Sequence, residues 1–588
     1  MEGTYILSDY LPLIKGVIEQ LNFPVNQIIP LQTFDKENRC HDWSTQIFKS
    51  KEIKKIIIPL SIPTDNPIND EGLKIALHIR LNYELNLNQR LIPIIFLSDF
   101  DIDIILKKIN FDNDNNPQNL LFTEGVYLSK FDPSEIRLNI ENAVSCSPDN
   151  YHKNVLNKLK ILQKAVIGKH SIANAWGCFK LAQVTGLQQE IFKHEAISDY
   201  LKTLYSKYLI CFNNAYEEQR FAAFKPLNCA GKKILLIDDQ ADEGWSVLMK
   251  NIFKSAGNDF VFIDSSNYKN NDTKIFHDFD GFYEECKSQI GKDWDLIIID
   301  LRLNPIKEDA DNEILAPTEF SGYKLIDEFL KVNEGYQIII STASNKIWNI
   351  NTALNRGVKS YYVKESPEFN YTIKETKKHY EIFKNEILKC FERVYLRKIF
   401  KDNQKLIGIL NSLNYNLNFI EELKNQLNLS YALLSDAKSK EQFAYAYVSL
   451  YLVVEIINNE FVIKSDNSQW EITDVGILNA WSFNNGKCIP YTETIVKEET
   501  IKITEVIGNK PPEWQKFAGL FFQKWNQSNS NFIRELIFLI KKRNGFVHND
   551  KRILDKTDKF GNLINHDIYN SNGFIKLFEL VKQIIEFL

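Results

Sequence analysis

Two adjacent acids, Asp238 and Asp239, close the apolar run Ile234 to Ile237 in KKILLIDDQADEGWSVLMKNIFKSAG. A third acid, Asp300, closes a second run in WDLIIIDLRLNP, Ser341 and Thr342 close a third in YQIIISTAS, and Lys364 closes a fourth in GVKSYYVKES. Carboxylate oxygens are hard ligands for a small divalent cation, a hydroxyl can donate to a phosphate oxygen, and an ammonium can pair with its charge. The set is suited to phosphate chemistry. A second set lies in NFIRELIFLIKKRNGFVHND, where Arg543 and Asn544 are followed, five residues after the arginine, by His548. A guanidinium can fork onto a phosphate, and an imidazole titrates in the range an acid or base needs.

The elements that must hold these residues can be read from the apolar pattern. Four wholly apolar runs separated by helical patterns describe a doubly wound parallel sheet, buried on both faces. In such a sheet the functional crevice lies at the carboxyl ends of the strands, where the polar residues fall. The first 135 residues repeat the order: TYILSDYLPLIKGVIEQLN is strand then helix, KKIIIPLSI a strand, EGLKIALHIRLNYEL helical, and RLIPIIFLSD and EGVYLSK two further strands. From Pro133 to Leu227, and again beyond Tyr395, apolar residues recur three and four apart, as in helices packed on a core. The expected architecture is multidomain α/β plus all-α, with two flavodoxin-like doubly wound sheets, a helical connector and a C-terminal helical bundle. The expected domains are residues 1–135, 136–228, 229–395 and 396–588.

The order of acid pair, lone Asp, Thr followed by a small residue, and Lys, each at a strand end, resembles the receiver domain of bacterial response regulators. Tyr361, three residues before the lysine, falls on the switch aromatic of that family. The resemblance implies Mg²⁺ held by Asp238, Asp239 and Asp300, phosphorylation of Asp300, and recognition of the phosphoryl group by Thr342 and Lys364. It also implies a sensor histidine kinase or phosphotransfer protein as partner. A receiver that binds metal without switching is the alternative. The stretch NPIKEDADNEILAPTEFS is longer and more acidic than the loop usual there, places Pro305 one position late, and is expected to gate the kinase or dock another domain. A second insertion surrounds NYKNNDTKIFHDFD. In the first 135 residues Asp9, Ser98 and Lys130 correspond to one acid, the hydroxyl and the lysine, but Pro59 and Leu60 stand where the nucleophile belongs. The expectation is a pseudo-receiver used for binding or dimer contacts, with an unrelated α/β domain as the alternative. His170, just before the second sheet, has two readings, a phosphoryl carrier or an ordinary surface or capping residue.

Composition bounds the remainder. With 588 residues, 44% hydrophobic and 25% charged, the chain is expected to form three to four soluble domains. A net charge of −5 argues against a protein that coats nucleic acid non-specifically. No apolar run reaches the roughly 18–20 residues of a membrane span, no signal sequence is seen, and eight cysteines occur without a CxxC pair. These features predict a cytoplasmic protein with reduced thiols and no membrane partner.

The RN at 543–544 with His548 resembles the RNxxxH motif of HEPN domains, helical bundles that often act as ribonucleases. The resemblance implies metal-independent RNA cleavage, with His548 as acid or base, Arg543 as phosphate clamp, Asn544 holding the phosphate or orienting the histidine, and a composite cleft in a homodimer. Five residues on an ideal helix place two side chains about 140° apart, so the pair needs the helix to loosen, which Gly545 permits. Lys541, Lys542, Lys551 and Arg552 add a local basic patch. Two readings follow: a phosphorylation-controlled ribonuclease suited to antiviral or stress defence, and a non-enzymatic signalling adaptor whose helices bind a partner or dimerise.

Overall fold

In the computed structural model the chain forms two compact units, residues 1–329 with 337–392, and residues 330–336 with 393–588. The residues described are 2–8, 12–31, 34–61, 70–108, 117–161, 169–212, 225–270, 275–304, 308, 316–343, 347–466, 469–479, 481–484, 487–490, 494–496, 499–501, 511–529, 531–536, 539 and 569–588. No described helix is long and apolar enough to cross a membrane.

The first sheet domain runs β1 (Thr4–Ser8), α1 (Pro12–Leu21), β2 (Ile28–Pro30), α2 (Glu37–Ser50), β3 (Lys55–Pro59), α3 (Glu71–Arg80), α4 (Leu87–Arg90), β4 (Ile94–Leu97), α5 (Ile102–Lys108), β5 (Val126–Ser129) and α6 (Pro133–Asn142). All strand pairs are parallel, in the order β2-β1-β3-β4-β5. Side chains alternate across a strand, and here both faces are apolar. Ile6, Ile57 and Ile95 pack with α1 and α6, while Leu7, Ile56, Ile58 and Phe96 pack with α2 and α3. Helix α6 begins where the Asp132 carboxylate accepts from the amides of Ser134 and Glu135, with Pro133 in the first turn. It buries Ile136 and Ile140 in the same core as α1.

The connector contributes α7 (Lys169–Thr185), α8 (Gln188–Ile191), α9 (Glu195–Leu201) and α10 (Leu204–Phe212). The second sheet domain follows as β6 (Ile234–Ile237), α11 (Trp245–Ile252), β7 (Phe260–Phe262), α12 (Phe279–Lys287), β8 (Leu296–Ile299), α13 (Ser321–Val332), β9 (Ile338–Thr342), α14 (Ile347–Asn355), β10 (Ser360–Val363) and α15 (Ile373–Glu392). Its strand order, β10-β9-β8-β6-β7, is that of the first sheet read from the other edge, and it too is wholly parallel. The two sheets thus share a five-stranded flavodoxin-like order. The edge strands β2 and β7 are additions to the four runs expected in each sheet; each has three residues.

The two domains also share a constraint at the end of the third strand in chain order. A Cβ on Gly322 would lie 2.0 Å from the backbone oxygen of Asp300, and one on Gly72 would lie 2.1 Å from that of Pro59. Each glycine amide donates to the carbonyl of the next residue, Leu301 or Leu60, at 3.1 Å. Only a residue without a side chain lets the following helix start against the strand end. The match places Pro59 at the position of Asp300.

In the C-terminal unit α16 (Tyr395–Ser412), α17 (Leu417–Asp436), α18 (Lys440–Phe461), α19 (Glu513–Gly519) and α20 (Ser571–Phe587) share one apolar core with a small antiparallel sheet of β11 (Val462–Lys464), β12 (Trp470–Ile472) and β13 (Gly476–Ile477). Helix α18 opens with a capping box between Ser439 and Gln442 and buries Tyr447, Leu450, Val454 and Ile457.

Candidate functional site

The carboxyl ends of β6 and β8 lie side by side because Ile237 pairs with Ile299, which brings Asp238 and Asp300 next to each other. Both aspartates are anchored alike: one oxygen of Asp238 accepts from the Gln240 amide at 2.9 Å, and one of Asp300 from the Arg302 amide at 3.0 Å. Their other oxygens each accept from Lys364 Nζ at 2.8 Å. Lys364 reaches them from the end of β10, where its amide donates to the Thr342 carbonyl. Its third donor goes to Oδ1 of Asn174, on α7. An ammonium has three N–H groups, and all three are engaged.

Asp238, Asp239 and Asp300 can each offer one oxygen such that the three atoms lie within 4.8 Å of one another. All are buried, as are Thr342 and Lys364. Burial, ahead of the Lys364 attraction, raises the Asp300 carboxyl above its ordinary range, and burial likewise pushes Asp239 well above it. Burial works against the Lys364 ammonium, but Asp238 and Asp300 more than offset it, so its pKa is raised. Three buried carboxylates face the two ammonium groups of Lys364 and Lys269, leaving an excess of negative charge that a divalent cation on hard oxygen ligands would neutralise. The donor set therefore fits Mg²⁺.

The remaining residues expected at this site fall around it. Thr342 and Ser341 end β9, and the Ser341 hydroxyl is buried with no hydrogen-bond partner among the described residues. Tyr361 is 43% exposed on β10, while its neighbour Tyr362 is buried against Trp245, His379 and Phe383. Glu308, from the acidic loop, accepts from the Ser321 amide at 2.8 Å and so caps α13. Pro305 and most of that loop lie outside the described residues.

Two residues of this site carried no signal in the sequence. Lys269 sits in the second insertion, where a bridge pairs it with Phe276. Its ammonium donates to the Asp239 carbonyl and lies 3.8 Å from an Asp242 oxygen. Asn174 comes from the connector, four residues beyond His170, which lies in the first turn of α7. Arg543, Asn544 and His548, with Lys541, Lys542, Gly545, Lys551 and Arg552, lie outside the described residues.

Among the described residues, the first domain shows no such constellation. Pro59 stands at the position of Asp300 and pairs with Leu97, so Ser98 matches Thr342. Lys130 is one residue out of step: Leu97 pairs with Ser129 as Ser341 pairs with Tyr362, which aligns Lys130 with Val363. It lies 3.5 Å from Asp101 at the surface instead. Asp9 lies outside the described residues. A family model described as an inactive receiver domain matches residues 13–129. No curated protein matches the chain.

Proposed function

We propose that the second sheet domain is a phosphoacceptor and that the chain is a phosphorylation-regulated signalling protein. The observation that carries this is the convergence of Asp238, Asp239 and Asp300 around Lys364 at the ends of three parallel strands. Asp300 is the nucleophile. Its carboxylate oxygen attacks phosphorus, the bond from phosphorus to the donor breaks, and the donor departs with the electron pair. Thr342 donates to a phosphoryl oxygen, and Lys364 pairs with the added charge. Asp238, Asp239 and Asp300 hold Mg²⁺, which when bound neutralises phosphoryl charge. The donor is a sensor histidine kinase or phosphotransfer protein. Acetyl phosphate with Mg²⁺ should label Asp300, and a label that persists in Asp300→Asn would sink the assignment.

The output in this reading is the C-terminal unit. Arg543, Asn544 and His548 form a HEPN-type, metal-independent endoribonuclease that works as a homodimer, in antiviral or stress defence. The alternative output is a non-enzymatic adaptor. The first domain, with Pro59 at the nucleophile's position, serves binding rather than phosphotransfer.

A further inference from the structure

Helix α7 belongs to the connector, yet it packs on two of the loops that ring the acid cluster. A Cβ on Gly177 would lie 3.0 and 3.2 Å from the backbone N and O of Glu365 and 3.3 Å from Cβ of Lys364. Cys178 Sγ lies 3.1 Å from the place of a Cβ on Gly244, in the turn between β6 and α11. Lys180, itself buried, donates to the Tyr371 carbonyl at 2.9 Å, between β10 and α15. Asn174, 6% exposed, supplies the third acceptor of Lys364. Asp300, the other carboxylate that Lys364 holds beside Asp238, is 5% exposed.

We infer that α7 is a latch on the phosphoacceptor pocket, fastened by Asn174 on Lys364, and that phosphorylation of Asp300 releases it. The inference rests on the reading of Asp300 as the phosphoacceptor. A phosphoryl group adds three oxygens beside a carboxylate that has almost no exposed surface and is held by Lys364, so Lys364 must move to admit it. Phosphorylation turns the Asp300 carboxylate that Lys364 holds into an acyl phosphate, so the ammonium must shift toward the new phosphoryl oxygens. The ammonium makes all its bonds charge-assisted, but Asp238 and the phosphoryl group are anions and the Asn174 amide is its one neutral acceptor. Asn174 is therefore the partner that yields. The message then leaves through α7 and the connector, a route separate from the exposed Tyr361.

The test compares the full chain with Asn174→Ala and with Gly177→Ala, which keeps the amide but wedges the helix off Glu365. Each protein is measured by amide hydrogen exchange over residues 169–185, by iodoacetamide labelling of Cys178 with buried Cys286 as internal reference, and by the initial rate of phosphorylation by acetyl phosphate with Mg²⁺. Loss of a bond to an ion should speed α7 exchange and Cys178 labelling at least tenfold and phosphorylation at least fivefold. Beryllofluoride with Mg²⁺ should speed Cys178 labelling in the unmodified chain. Should Asn174→Ala fail to fold, Gly177→Ala carries the comparison. Exchange and labelling unchanged in the variants would overturn the latch, and an opened α7 with an unchanged phosphorylation rate would overturn its control of the pocket. If α7 opens in the variants but no protein takes up the phosphoryl group, the Asp300 assignment falls while the Asn174 fastening stands.

Discussion

Lys364 neutralises two carboxylates that would otherwise face each other in a buried pocket. Replacing it by Met leaves Asp238 and Asp300 without their counter-ion, and removing one partner of a buried pair costs about 3–5 kcal/mol. The Lys364→Met chain should therefore unfold at markedly lower urea than the parent in EDTA. Millimolar Mg²⁺ should restore much of the difference, because the same oxygens then serve a cation. Equal midpoints for the two proteins in EDTA would mean that the carboxylates are not held as charges. Asp239 behaves differently. Burial pushes its carboxyl well above the ordinary range, and Lys269 counters this from the inserted segment rather than from a strand end.

At the scale of elements, the close approach of Gly72 and Gly322 to the preceding strand ends is a property of the fold and not of the chemistry. Overpacking a tight site typically costs about 1–3 kcal/mol, and here the added carbon would meet a backbone oxygen that cannot rotate away. Gly72→Ala should lower the thermal midpoint of the chain about as much as Gly322→Ala, although Pro59 cannot be phosphorylated. A stable Gly72→Ala protein would break the equivalence of the two strand ends. The strand ends themselves were legible because Asp238, Asp239, Asp300 and Lys364 each interrupt an apolar run, and such runs are long enough to identify. Strands β2 and β7 have three residues at sheet edges, too few to display a period. Lys130 looked like a counterpart of Lys364 by position alone, but pairing register moves it by one residue and so to the opposite side. Asn174 and Lys269 arrive from segments whose local pattern says nothing about their distant partners, so no reading of neighbouring residues could have placed them.

For the whole molecule, the prediction joins the ends of the chain. Purified protein should cleave RNA in EDTA, leaving 2′,3′-cyclic phosphate or 3′-phosphate ends. Arg543→Ala and His548→Ala should each abolish cleavage, whereas Asp300→Asn should alter only its response to beryllofluoride with Mg²⁺. Intact RNA, or cleavage by His548→Ala at the parent's rate, would transfer the output to the adaptor reading. Phosphorylation can bias a two-state packing only by its differential free energy, so a partial change in rate is the expected size of regulation.

The fastening of Asn174 on Lys364 spans 190 residues of chain. At roughly 5–20 residues per second of synthesis, α7 leaves the ribosome about 10–40 s before the last strand it rests on. During that interval Trp176, Phe179, Leu181 and Ala182, all buried in the finished protein, have no completed second sheet to cover them. Helix α10 of the connector can pack on the first core once it emerges, but α7 must wait for the second sheet.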